Sequence, residues 1–141
     1  MKWRAFISSI SKESQFKPPA SESEISAMKD TLKVELPWRL TQIYNETNGV
    51  YGDYGISFIW STEQMIRENV FCRKAYQHSD VNSMLFFTDA GNGDLFGYLI
   101  GNETIQSEDI HIWNHENGNR RIVAASLEKF LEGWITGKLN V

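Results

Sequence analysis

The chain has 141 residues, of which 41% are hydrophobic, 23% charged and 13% aromatic, and its net charge is −4. One domain of this size, with this much aromatic surface, can bury its own core, which excludes a disordered tail. A single cysteine excludes an internal disulfide framework, no apolar run reaches the ~18 residues of a membrane span, and the negative balance argues against the whole chain gripping nucleic acid or an anionic membrane.

Met1-Lys2-Trp3-Arg4 is basic, but Ala5 to Ile10 is too short and too polar for the core of a signal peptide, so a cytoplasmic domain is expected. Trp3, Phe6, Ile7 and Ile10 share one helical face. Ser11 to Ala20 holds Pro18-Pro19 and reads as a linker. Ser21 and Glu24 have the spacing of a capping box, followed by Ile25, Met28 and Leu32 on one face. Pro37 suits the first turn of a second helix with Leu40, Ile43, Tyr44 and Thr47, and Asn48-Gly49 suits a left-handed cap at its end. Tyr51 to Gly55 reads as a loop and Gly55 to Trp60 as a strand. Ser61 and Gln64 again have capping-box spacing, opening a helix from Thr62 to about Tyr76 with Met65, Ile66, Asn69 and Val70 inward.

Met84 to Phe87 and Leu95 to Ile100 are strands joined by a turn at 89–94, and their apolar residues on both faces place them centrally in a covered sheet. Ile110 to Asn114 and Arg121 to Ala124 form a further pair across Asn117-Gly118. Ser126 caps a last helix with Leu127, Phe130, Leu131, Trp134 and Ile135 on its face. The order predicts a single α+β domain, its mostly antiparallel central sheet flanked by N-terminal and C-terminal helices, with residues 1–20 as a helix and linker preceding a 21–141 domain.

Charge is uneven along the chain. Residues 1–39 and 120–141 are each net +2, whereas residues 40–119 are net −8, and no Lys or Arg occurs from Ala75 to Asn119. Such a stretch reads either as a docking surface that steers a basic partner or as a solvated surface that aids solubility.

Catalytic and metal motifs find little support. His111 and His115 fall on a strand, where four residues span about 13 Å, too far for two ligands of one tetrahedral metal. His78 sits in a polar loop and reads as exposed. Cys72 has cationic neighbours in Arg73 and Lys74, but these point elsewhere on a helix, and an ordinary part-buried cysteine is the simpler reading. The 89–94 segment places Gly91 and Gly93 where a calcium loop needs oxygen ligands, and a strand follows it, so it is neither a calcium loop nor a phosphate cradle. No cofactor is expected, and no enzyme chemistry.

Ser21-x-x-Glu24-Ile25, then Leu36-Pro37, then Asn48-Gly49 resembles the opening of SUKH-superfamily proteins. The turn Asp89-Ala90-Gly91-Asn92-Gly93-Asp94 resembles the family's Gly-Asp hairpin. Ile112-Trp113-Asn114-His115-Glu116 resembles its W-D-H-E strand end, with Asn114 where Asp is usual, and Ala125 to Leu131 resembles its last helix. The resemblance runs from Ser21 to Trp134. It implies a non-catalytic α+β domain. Bacterial members are mostly immunity proteins that bind and block a toxin domain, often a nuclease, while a eukaryotic branch acts in cell-wall signalling as an interaction protein.

The expected function is accordingly a cytoplasmic immunity protein for a cognate protein toxin, acting as a monomer or weak dimer, with no direct nucleic-acid or membrane partner. A regulatory scaffold for an endogenous protein is the alternative, and a small enzyme using Cys72 and a histidine a third. A toxin nuclease needs a basic groove for phosphate, so its blocker is expected to be acidic with aromatic anchors. The candidate contact residues are Tyr51, Asp53, Tyr54, Trp60, Asp89, Asn92 and Asp94, with Glu108 and Asp109 as steering charges. The simpler reading of Trp60 is core, and of Asp89 and Asp94 stabilisers of their turn.

Overall fold

The computed structural model describes residues 2–76, 80–139 and 141. His78 lies outside them. Among these residues, five α-helices and eight strands follow one another as α1 (Trp3–Ile10), β1 (Gln15–Phe16), α2 (Glu22–Leu32), α3 (Trp38–Glu46), β2 (Val50–Tyr51), β3 (Ser57–Ile59), α4 (Thr62–Ala75), β4 (Met84–Asp89), β5 (Leu95–Gly101), β6 (Thr104–Ile105), β7 (Ile110–Trp113), β8 (Arg120–Ala124) and α5 (Leu127–Ile135).

The helix starts follow their caps. Ser21 Oγ accepts the Glu24 N–H at 3.1 Å while Glu24 Oε1 accepts the Ser21 N–H at 2.9 Å, the full capping box at the head of α2. Ser61 and Ser126 accept from Gln64 and Lys129 in the same way at α4 and α5. The end of α3 departs from expectation. Thr47 is already extended (φ −156°), and Gly49, at φ +104°, turns the chain into β2 rather than capping the helix. A Cβ at Gly49 would lie 2.9 Å from the Tyr51 ring, so the position is closed to other residues twice over. The left-handed cap is instead taken by Lys33, after α2.

All strands pair antiparallel, in one sheet ordered β1-β2-β3 and another ordered β4-β5-β7-β8 with β6 alongside β5. Ser11 to Ala20 is therefore more than a linker, because Gln15 and Phe16 pair with Tyr51 and Val50. Near Phe87 the β4–β5 register shifts, and the Phe87 carbonyl accepts the Trp60 N–H at 2.8 Å, joining the two sheets.

β4 is an edge strand of its sheet rather than a central one, and its apolar run Met84–Phe87 is explained by coverage on both faces. Phe86 packs on Trp113, which meets Tyr76 beyond the end of α4. On the opposite face Phe87 and Phe96 pack edge-on against Phe130 of α5, at 5.2 and 4.7 Å between ring centroids. Gly97 allows β5 to approach β4, since a Cβ there would sit 2.4 Å from the Leu85 carbonyl oxygen.

The amino-terminal helix belongs to the same core. Trp3 and Ile7 are buried, and α1 packs on α3 and α5. Lys2 offers α1 no side-chain cap. The Glu46 carboxylate supplies one from α3, accepting the Trp3 N–H at 2.8 Å and the Arg4 N–H at 3.0 Å. No helix among the described residues is long and apolar enough to cross a membrane.

Candidate functional site

The Tyr51–Gly55 segment forms a tight, fully specified loop. Gly52 N–H donates to the Ile56 carbonyl and Ile56 N–H to the Asp53 carbonyl, closing it at its base. Gly52 is needed for space, because a Cβ there would fall 2.7 Å from the Phe58 ring. At the tip, Tyr54 holds left-handed backbone (φ +61°, ψ +28°), which costs a non-glycine residue about 1 kcal/mol. Its ring is fully exposed, and Asp53 beside it is exposed as well.

Tyr51 is held differently. Its hydroxyl accepts the Ser61 N–H at 3.0 Å and donates to Gln64 Oε1 at 3.0 Å. In an ordinary capping box the Gln64 side chain would take the Ser61 N–H itself. The phenol stands between them, so the ring orientation of Tyr51 is fixed by the start of α4. Asn48 adds to the same junction, accepting the Thr62 N–H at 2.8 Å and donating to Glu24 and to the Thr62 hydroxyl.

A groove of about 660 Å³ runs between this loop and the segment Gln15–Pro19, with Tyr51, Gly52, Tyr54 and Gly55 on one side and Gln15, Lys17, Pro18 and Pro19 on the other. The second wall is rigid. Lys17 N–H donates to the Thr47 hydroxyl, the Pro18 carbonyl accepts the Asn48 N–H, and Ala20 N–H donates to the Tyr44 carbonyl. The Lys17 ammonium lies over the Tyr51 ring, 5.7 Å from its centroid. Next to the loop, Asp53 holds the Glu13 carboxyl above its ordinary value, by accepting a hydrogen bond from it in its protonated form and by the repulsion of its charge.

The remaining expected contact residues are placed otherwise. Trp60 is 1% exposed and cannot serve as a surface anchor; its indole N–H donates to Asp89 Oδ2 at 3.0 Å from within the core. Asp89 also accepts from the Ser57 hydroxyl and the Gly91 N–H. Asp94 accepts the His115 N–H and lies 2.6 Å from its ring Nδ1, and exposed Asn92 accepts the Asp94 N–H. The hairpin aspartates thus build their turn. Glu108 is ion-paired with Arg39, whose Nε is also 2.9 Å from Glu128, so its charge is largely answered within the chain. Asp109 is half-buried beside His111.

These residues do not form one acidic face. Tyr51, Asp53 and Tyr54 stand together, and Ser57, the strand partner of Tyr51, bonds to Asp89 and so places the 89–94 hairpin alongside. Glu108 instead lines a second groove of about 390 Å³ with Leu36, Pro37, Trp38 and Thr104. Asp94 and Thr104 flank opposite ends of the seven-residue β5, about 20 Å apart by strand rise.

Sequence reasoning overlooked Lys17 and Glu13, whose proximity to the loop depends on the pairing of β1 with β2. It also overlooked Trp38, 59% exposed with the Arg39 guanidinium 4.3 Å from its ring centroid. Trp38 carried a signal, since it lies off the face formed by Leu40, Ile43 and Tyr44.

Two reactive side chains lie outside both grooves. Cys72 is 4% exposed, and burial, with a smaller push from Glu68, raises its thiol to about 11. His111 is 8% exposed, and burial together with the Arg120 charge holds its imidazole below the ordinary value, against a weaker upward pull from Asp109.

The family model for SUKH_6, described as SMI1-KNR4 cell-wall, matches residues 22–131. The chain belongs to the SUKH superfamily. The search of curated proteins gives no match. The SUKH match begins just after the Gln15–Pro19 wall of the groove and takes in the Tyr51–Gly55 loop, the 89–94 hairpin and most of α5.

Proposed function

We propose that this chain is an immunity protein that binds and neutralises a cognate bacterial toxin domain, a basic nuclease, through the surface around Tyr51, Asp53 and Tyr54. The observation that carries this reading is Tyr54, a fully exposed aromatic ring on a hydrogen-bonded loop, held in left-handed backbone next to an exposed carboxylate. Rigid aromatic anchors ringed by charge are how protein interfaces concentrate binding energy and select a partner of opposite sign. Membership of the SUKH superfamily fits an interaction protein. The raised thiol of buried Cys72 fits a chain that does no nucleophilic chemistry. The working form is a cytoplasmic monomer or weak dimer that touches neither nucleic acid nor membrane.

Co-purification with the protein encoded immediately upstream, followed by rescue of cells expressing that protein, tests the proposal. Protection by the wild-type chain, lost in Tyr54→Ser, supports it; absence of both binding and rescue overturns it. The description of the matching family as cell-wall proteins favours a second reading, a regulatory scaffold for an endogenous protein. In that case the partner captured is no toxin, and its gene need not be a neighbour.

A further inference from the structure

The groove between Gln15–Pro19 and the Tyr51–Gly55 loop already carries one cation of the chain in its wall. Lys17 lies over the Tyr51 ring, while the neighbouring Tyr54 ring stands bare. Asp53 is exposed beside that bare ring, and the Glu24 side chain lines the groove, so two carboxylates flank the Lys17 ammonium there. A planar guanidinium matches this setting better than an ammonium, because it can stack on a phenol and fork its N–H groups to carboxylate oxygens at the same time. Both walls are fixed by backbone hydrogen bonds, so little order has to be imposed when a side chain enters.

We infer that the groove receives an arginine side chain projecting from the basic protein partner, its guanidinium stacked on Tyr54 and paired with Asp53; this rests on the toxin-binding reading above. One wall comes from residues 15–19, before the family match begins at residue 22, so this chain's own segment shapes what the groove accepts.

The test is a titration of the isotope-labelled full chain with acetyl-Gly-Arg-Gly-amide and with its citrulline counterpart, which keeps the shape and removes the charge. The arginine peptide is expected to shift the amides of Gln15, Lys17, Gly52, Tyr54 and Ser61, and the citrulline peptide to leave them in place. Tyr54→Ser and Asp53→Asn should each weaken binding by about fivefold. Lys17→Ala frees the Tyr51 ring and should tighten binding, by more than Lys12→Ala, which removes the same charge from the exposed chain nearby. Equal shifts with both peptides, shifts scattered over the surface, or no effect of Tyr54→Ser in a variant with an otherwise native spectrum overturn the inference. The rescue assay separates the two levels. If Tyr54→Ser and Asp53→Asn lose the peptide but still protect cells, the inference falls and toxin binding moves to another surface of the chain. If the peptide binds as expected but the wild-type chain protects against no toxin, the toxin reading falls and cation recognition by the groove stands.

Discussion

Asn69 of α4 satisfies both backbone groups of Phe86 in β4: its Nδ2 donates to the Phe86 carbonyl at 2.8 Å, and its Oδ1 accepts the Phe86 N–H at 2.9 Å. The same Nδ2 reaches the Met65 carbonyl at 2.8 Å. Asn69 is 1% exposed, so water cannot replace it. Asn69→Ala should lower stability by about 3 kcal/mol, read from urea unfolding, because it leaves a buried N–H and carbonyl unpaired. Asn69→Leu restores the volume but none of the hydrogen bonds, and should be no more stable than the alanine variant.

Trp60 and Tyr54 should behave oppositely. Trp60→Phe removes the indole N–H from Asp89 and opens space in the core, and should lower stability by about 2 kcal/mol while partner binding stays unchanged well below the melting temperature. Tyr54→Ser removes an exposed ring, should leave the melting temperature in place, and should weaken the partner. A binding loss from Trp60→Phe at full foldedness would return that residue to the interface.

His111 makes stability depend on pH in a defined direction. Burial and Arg120 lower its folded value below the ordinary 6.5, so the unfolded chain takes up the proton first as the solution is acidified. Its contribution is complete above about pH 6.5 and is lost as pH falls from there through the folded value. Carboxylates titrate in both wild type and His111→Gln, so the difference between their stability profiles isolates this imidazole. The wild type should lose the advantage on acidification; a difference that is flat with pH contradicts the assignment.

Glu46→Ala should loosen α1 without touching the central sheet. The Trp3 and Arg4 N–H groups lose their acceptor, which costs about 1 kcal/mol at a helix start. Amide exchange in α1, at Phe6 and Ile7 among others, should accelerate, while the β4–β5 amides keep their protection.

Much of the architecture could be read from local chemistry. Ser21 with Glu24, Ser61 and Ser126 mark three helix starts through bonds that close within four residues, and Gly91 and Gly93 mark a turn through backbone that they adopt easily. The apolar run Met84–Phe87 announced coverage on two faces. What stayed hidden depends on distant partners. The two-residue strand Gln15–Phe16 has no pattern of its own and exists because β2 offers an edge. Trp60 reads the same in sequence whether it meets solvent or Asp89, and Glu108 gives no sign of Arg39. A run of like charges in sequence became separate neighbourhoods because β5 carries its two ends about 20 Å apart.

The clasp between Glu46 and α1 also orders events during synthesis. The eight residues of α1 are too few to stay helical alone, and the carboxylate that completes their first turn lies 43 residues downstream. The helix leaves the ribosome well before its cap does, and it waits as unstructured chain until α3 has emerged. Residues 15–19 likewise find their partners only at Thr47, Asn48 and Tyr51, so the groove cannot close until β2 has followed α3 out of the ribosome.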